Sequence, residues 1–175
     1  VKTFAELLDY AKALPNQVAW GSFGASSTPH FYIEWLRKTR DVHFLEIPYK
    51  AASEAMQRML AGDVQVVSFS QGQSVQLHKA GKIRMIAVSG DKRSPLAPDV
   101  PTFKEQGFDV VIENSAALYG PARLPREFVD RIHSALMPML SNPVYLERLA
   151  VQGMTPSPMN GTQLAAWLAA ERRRY

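Results

Sequence analysis

Apolar residues at Phe4, Leu7, Leu8, Ala11 and Leu14 recur at helical spacing and predict an amphipathic first helix. Thr3 with Glu6 makes a capping box at its start, and Pro15 and Asn16 end it. "VAW" then predicts a short buried strand ending at Gly21. The stretch "WGSFGASSTPHFYIEW" follows as a turn leading into a second helix over about 28–38. "VHFLEIPY" predicts a second strand. Ala52, Ala55, Met56, Met59 and Leu60 form a helical stripe closed by Gly62, and "DVQVVSF" supplies a third strand. A short helix through Leu77 and then "KIRMIAVS" repeat the rhythm. Strands alternating with helices in this way predict an α/β fold with a mostly parallel sheet covered on both faces.

From Gly90 the pattern changes. "GDKRSPLAPDVPTFKEQGFD" is a proline- and glycine-bearing connection around a short helix near Thr102, and "VVIEN" predicts one more strand. "GPARLP" introduces a helix in which Phe128, Val129, Ile132, Leu136, Met139 and Leu140 align, and two shorter helices finish the chain. The expected organisation is an α/β unit over 1–113 and a helical tail over 114–175.

With 46% hydrophobic residues in 175, the chain has enough apolar material for a core. No apolar run approaches the roughly eighteen residues of a membrane span, and "VKTFAELLDYAK" lacks the charge and apolar order of a signal peptide. The chain opens on Val rather than Met, so the encoded start, with any export signal, is expected upstream. There is no cysteine, which rules out disulfides, thiol chemistry and cysteine-based metal sites. The net charge is +4, but the basic residues are scattered among 16 acidic ones. Only "ERRRY" clusters, following a helical face of Leu164, Trp167 and Leu168, where cations suit a helix C-terminus. No nucleic-acid surface is expected; the mild positive bias favours anionic ligands.

The turn from Trp20 to Trp35 is the candidate site. The first N–H groups of a helix lack intrahelical partners and carry partial positive charge, so an anion can bind there without a cationic side chain. Gly21 and Gly24 permit close backbone approach, Ser22, Ser26 and Ser27 offer hydroxyls, and Pro29 is tolerated at the helix start. In an open α/β sheet ligands bind beyond the carboxyl ends of strands, so the turns at 49–51 and 68–70 are expected to form the facing wall. "GSFGAS" matches neither G-x-S-x-G, G-x-G-x-x-G nor a P-loop. Ser27 and His30 lie three apart and are expected to cap or decorate the helix start rather than form a nucleophile pair. His30 and Glu34, at i, i+4, are expected to be a surface pair rather than metal ligands. His43, His78 and His133 stand isolated. No catalytic residue, metal site or cofactor is expected.

The order of these motifs resembles the substrate-binding proteins of tripartite tricarboxylate transporters, the Bug or TctC-like family. "WGSFGASSTPH" is similar to that family's G-S-x-G-x-G-S-x-x-H turn, and "IPYKAASEAMQRMLAGDVQVV" to its V-P-Y-K-G stretch leading to a G-G-x-V-D strand start. "AGKIRMIAVSGDKRSPLAPDVPTFKEQG" is similar to its G-K-x-R-x-L-A-V and P-D-V-P-T-x-x-E-x-G run, and "GPARLPREFVDRI" to its A-P-A-G-T-P helix start. The resemblance covers essentially the whole chain.

It implies a type II periplasmic-binding-protein-like fold: one complete α/β domain with a parallel or mixed sheet, the family's domain 2, plus the helical C-terminal part of domain 1. It implies a periplasmic receptor that captures a small organic carboxylate for the membrane subunits of a transporter. Carried over residue by residue, it implies ligand contacts at Ser22, Gly24, Ala25, Ser26 and Ser27, and at Tyr49, Ser68, Phe69 and Ser70. Ala51 and Ser26 stand where the family has glycine and narrow the space beside the ligand. The family's chains carry a first half before the position of Val1. Without it, the apolar faces of the tail helices are expected to drive self-association. A ligand-sensing domain of a transcription regulator, which shares the fold, and a serine hydrolase using Ser22 or Ser27 are the rival readings.

Overall fold

Thr3 accepts the Glu6 N–H through its hydroxyl at 3.1 Å, and helix α1, Phe4–Ala13, begins there. The Glu6 carboxylate reaches back to the Lys2 N–H at 2.7 Å, one residue outside the usual capping box. Thr3→Ala is expected to cost about 1 kcal/mol, the usual loss for a side-chain cap, read as a lowered urea midpoint with unchanged slope. The computed structural model describes residues 1–112 and 115–174. Its contacts divide the chain into two compact units, Val1–Asn114 and Ser115–Tyr175.

In the first unit β1, Ala19–Ser22, is the centre of a three-stranded sheet. Helix α2, Thr28–Arg40, leads to β2, Leu45–Pro48, and helix α3, Ala52–Ala61, leads to β3, Val66–Val67. Helix α4, Gln71–Lys79, follows. Both pairings are parallel and the order is β2-β1-β3, with Trp20 beside Glu46 and Val66, and Ser22 beside Pro48. Side chains alternate between the faces of a strand, so Trp20 and Ser22 share one face and Gly21 points to the other. Trp20 stacks on Tyr32 of α2, whereas a Cβ at Gly21 would stand 3.2 Å from Ala55 of α3. The two helices therefore cover opposite faces of the sheet.

Phe4 closes the α2 side of the core, with ring centroids 4.7 Å from Phe103 and 4.9 Å from Phe108, both edge-on. Phe103 belongs to the connection after Gly90. There Thr102 and Glu105 exchange backbone and side-chain bonds around a 3-10 turn, Lys104–Gln106, where a short helix was expected.

"KIRMIAVS" does not form a strand. Its Val88 makes only an isolated parallel bridge to Thr102, and the Gln106 amide takes the Ile86 carbonyl at 3.0 Å. Residues 110–112 likewise carry no ladder. The Ser89 hydroxyl exchanges bonds with Ile112, donating to its carbonyl at 2.6 Å and accepting its N–H at 2.8 Å. Side chains thus satisfy backbone groups that a ladder would otherwise use. Glu113 and Asn114, which end "VVIEN", and with them the expected boundary at 113, lie outside the described residues.

In the second unit helix α5 spans Arg126–Leu136. Pro138 ends the expected stripe, so Met139 and Leu140 fall in a 3-10 turn, Met139–Ser141, instead of extending α5. Asn142 caps helix α6, Pro143–Val151, by accepting the Val144 N–H at 2.9 Å. Helix α7, Gly161–Arg174, is 14 residues long and so exceeds the 11 of α5, contrary to the expected short ending. Within this unit Phe128 is 51% and Ile132 48% exposed.

Candidate functional site

Parallel strands put the turns that follow them at one end of the sheet. Leaving β1, the chain goes to β2, then returns past β1 to β3, so the connection leaving β1 heads away from β3, its other neighbour. That divergence is the position at which open α/β sheets leave a crevice. The turn at 22–27 lies on one side of it and the turn at 68–70 on the other.

The first turn is built by one hydroxyl. Ser27 Oγ accepts the Phe23 N–H at 3.2 Å and, weakly, the His30 N–H at 3.5 Å, and donates to the Gly24 carbonyl at 2.7 Å. That engages its one donor and two acceptor positions. Ser27 thus shapes the turn and caps α2, as its place before Pro29 led one to expect, and its hydroxyl is engaged within the turn. Gly24 holds φ +93 with nothing within 4 Å of a Cβ, so conformation and not space selects glycine there. Among the described residues the N–H groups of Gly24, Ala25 and Ser26 have no protein partner. Ser22 is fully buried on the α2 face, and its Oγ also has no partner.

Tyr49 joins this end of the sheet by donating its N–H to the Ser22 carbonyl at 2.8 Å. Its ring edge stands 3.4 Å from where a Gly21 Cβ would be. Ser68 and Phe69 are half-buried and Ser70 is exposed. Ser70 and Ala51 occupy the N-cap positions of α4 and α3, and neither side chain caps its helix.

The charges at the helix starts discriminate among these turns. Within this unit α1 has Glu6 and α3 has Glu54 in the first turn, and the Glu54 carboxylate takes the Lys50 N–H at 3.3 Å. The first turns of α2 and α4 contain no acid. Neither helix carries an acid of its own there, although the Glu46 carboxylate meets the His30 ring at α2, and on the two sides of the divergence a helix N-terminus favours a negative charge by about 0.3–1 kcal/mol. This contrast could have been read from the sequence and was missed.

His30 does not pair with Glu34. Its Nδ1 meets both oxygens of Glu46 on β2, at 2.9 and 3.0 Å, while Glu34 takes the Arg37 guanidinium at 2.7 Å. The Arg37 hydrogen bond and charge hold the Glu34 carboxyl below its ordinary value against desolvation, with His30 adding to the effect. The His30 Nδ1 is thereby engaged by Glu46 and does not serve Ser27 as a base, since the Ser27 proton goes to the Gly24 carbonyl. His43 and His78 are not isolated either: they meet Asp41 at 3.0 Å and Asp99 at 3.3 Å. Glu46 escaped sequence reading because only the strand register brings it beside Trp20 and under α2.

The family profile for the tripartite tricarboxylate transporter family receptor matches residues 1–175. A UPF0065 protein of Cupriavidus necator is 36% identical over 169 residues, covering 97% of this chain and 51% of its own length. A solved R. palustris protein with adipate superposes with a TM-score of 0.85 at 25% identity, over 99% of this chain and 58% of its own. A structure described as a periplasmic transporter gives 0.83 at 26% identity, over 98% of this chain and 57% of its own. The chain thus spans about half the length of the curated relatives it matches. With a profile match from the first residue to the last, this chain belongs to the tripartite tricarboxylate transporter receptor family.

Proposed function

We propose that this protein binds a small organic carboxylate between the α2 and α4 turns and performs no chemistry on it. The observation that carries the proposal is the pair of helix starts without acidic residues flanking the strand divergence. Unpartnered N–H groups at Gly24, Ala25 and Ser26 supply donors, the buried Ser22 hydroxyl adds another, and Ser27 holds the turn. Tyr49, Ser68, Phe69 and Ser70 complete the proposed contacts. The adipate in a relative at 25% identity supports the ligand class. Family membership supports a periplasmic receptor that delivers its ligand to the membrane subunits of a transporter. In the same reading, residues 1–113 are the family's second domain and 114–175 the helical end of its first, whose exposed α5 stripe is the surface for self-association.

The test is calorimetric titration of the intact protein with adipate, succinate, citrate and benzoate. At least one acid is expected to bind saturably. Ser26→Asp is expected to weaken that binding tenfold or more, about 1.4 kcal/mol, because it sets a carboxylate among the donors. Ser26 is exposed and makes no described bond, and a carboxylate beside a helix start favours the folded state, so the unfolding midpoint of the variant is expected to hold or rise while binding falls. No binding of any acid, or undiminished binding by Ser26→Asp, would remove the proposal.

A further inference from the structure

The His30–Glu46 contact links a strand to the first turn of α2. A carboxylate only accepts hydrogen bonds, so Nδ1 of His30 carries the proton whether the ring is neutral or charged. Both side chains are little more than a quarter exposed, 28% and 27%, which shields the bond from solvent more than a surface pair. Glu46 sits in the middle of β2, beside Trp20 and two positions before Pro48, the neighbour of Ser22. At the other end, the backbone N–H of His30 reaches the Ser27 hydroxyl, which also binds Phe23 and Gly24. One residue therefore fastens the first turn of α2 to the sheet through its ring and to the preceding loop through its backbone.

We infer that His30 is a positioning residue for the anion turn: its Nδ1–H anchors the start of α2 to Glu46 and so holds the Gly24, Ala25 and Ser26 N–H groups in place. The imidazole acts through Glu46 and does not touch the ligand. The functional half of this inference rests on the reading of the turn as a carboxylate site; the structural half does not. It has a consequence opposite to that of simple charge. Glu46→Ala removes a negative charge near the turn, which by electrostatics alone strengthens anion binding. Through lost anchoring it weakens binding instead.

The experiment uses the intact protein with His30→Ala, His30→Asn, Glu46→Ala and the double variant His30→Ala/Glu46→Ala. Two readouts are adipate titration and amide hydrogen exchange without ligand. His30→Ala and Glu46→Ala are each expected to raise the adipate Kd about tenfold, and the double variant no further, since both break one contact. His30→Asn, which presents an amide N–H near the position of Nδ1, is expected to stay within about threefold of the parent. Exchange at Phe23 in both alanine variants, and at His30 in Glu46→Ala, is expected to quicken while Trp20 and Gly21 in β1 stay protected. A Kd raised by His30→Ala but not by Glu46→Ala would mean that the ring meets the ligand directly, and would overturn the inference. Unchanged exchange at Phe23 and His30 would overturn it whether or not adipate binds. Quickened exchange in a parent protein that binds no adipate would uphold the anchor and count against the carboxylate reading instead.

Discussion

Trp20→Ala is expected to lower the stability of the first unit by about 3–5 kcal/mol, the usual range for emptying a large aromatic site in a core. Trp20 is 3% exposed in the central strand, stacked on Tyr32 at 6.4 Å between centroids and edge-on to Phe44 at 4.9 Å. It thus joins α2 to β1 and to the segment entering β2. Its indole N–H is buried without an acceptor, so the loss comes from packing and not from an orphaned hydrogen-bond partner. Trp20→Phe separates the two contributions: it removes that N–H and keeps a ring, and is expected to cost less than half as much. Urea unfolding followed by circular dichroism reads both, and a loss below about 1 kcal/mol for the alanine variant would show that this face repacks.

Gly21→Val is expected to destabilise by about 1–3 kcal/mol through overpacking. A Cβ there already meets Ala55 and Val67 at 3.2 Å and Tyr49 at 3.4 Å, and the two further methyls have nowhere to go. Relief requires α3, the Val67 side chain or Tyr49 to move, and Tyr49 is tied to the Ser22 carbonyl at the end of β1. The stability loss should therefore come with weaker adipate binding. Equal stability and affinity in Gly21→Val would mean that the α3 face yields easily.

Much of this was legible along the chain. The stripe from Phe4 to Ala11, the Thr3 cap, the Ser27 cap before Pro29 and the Gly62 stop each act within a few residues, and each element appears where its pattern lies. The family motifs were legible for the same reason, since they are turns and helix starts specified locally. The expected strand at "KIRMIAVS" failed because strand formation depends on what lies alongside. Here that neighbour is Pro101 and Thr102, together with side chains of Ser89 and Gln106 that take up the backbone groups.

The sequence by itself determined the α/β rhythm, the caps and the turn that could receive an anion, because helical periodicity and capping are read over one or two turns of chain. Only the tertiary structure decided the order β2-β1-β3, and with it which two turns face the same divergence. It also decided that His30 meets Glu46 and not Glu34. Sixteen positions separate His30 and Glu46, and parallel register alone brings them within 3 Å, a distance that no local spacing rule contains.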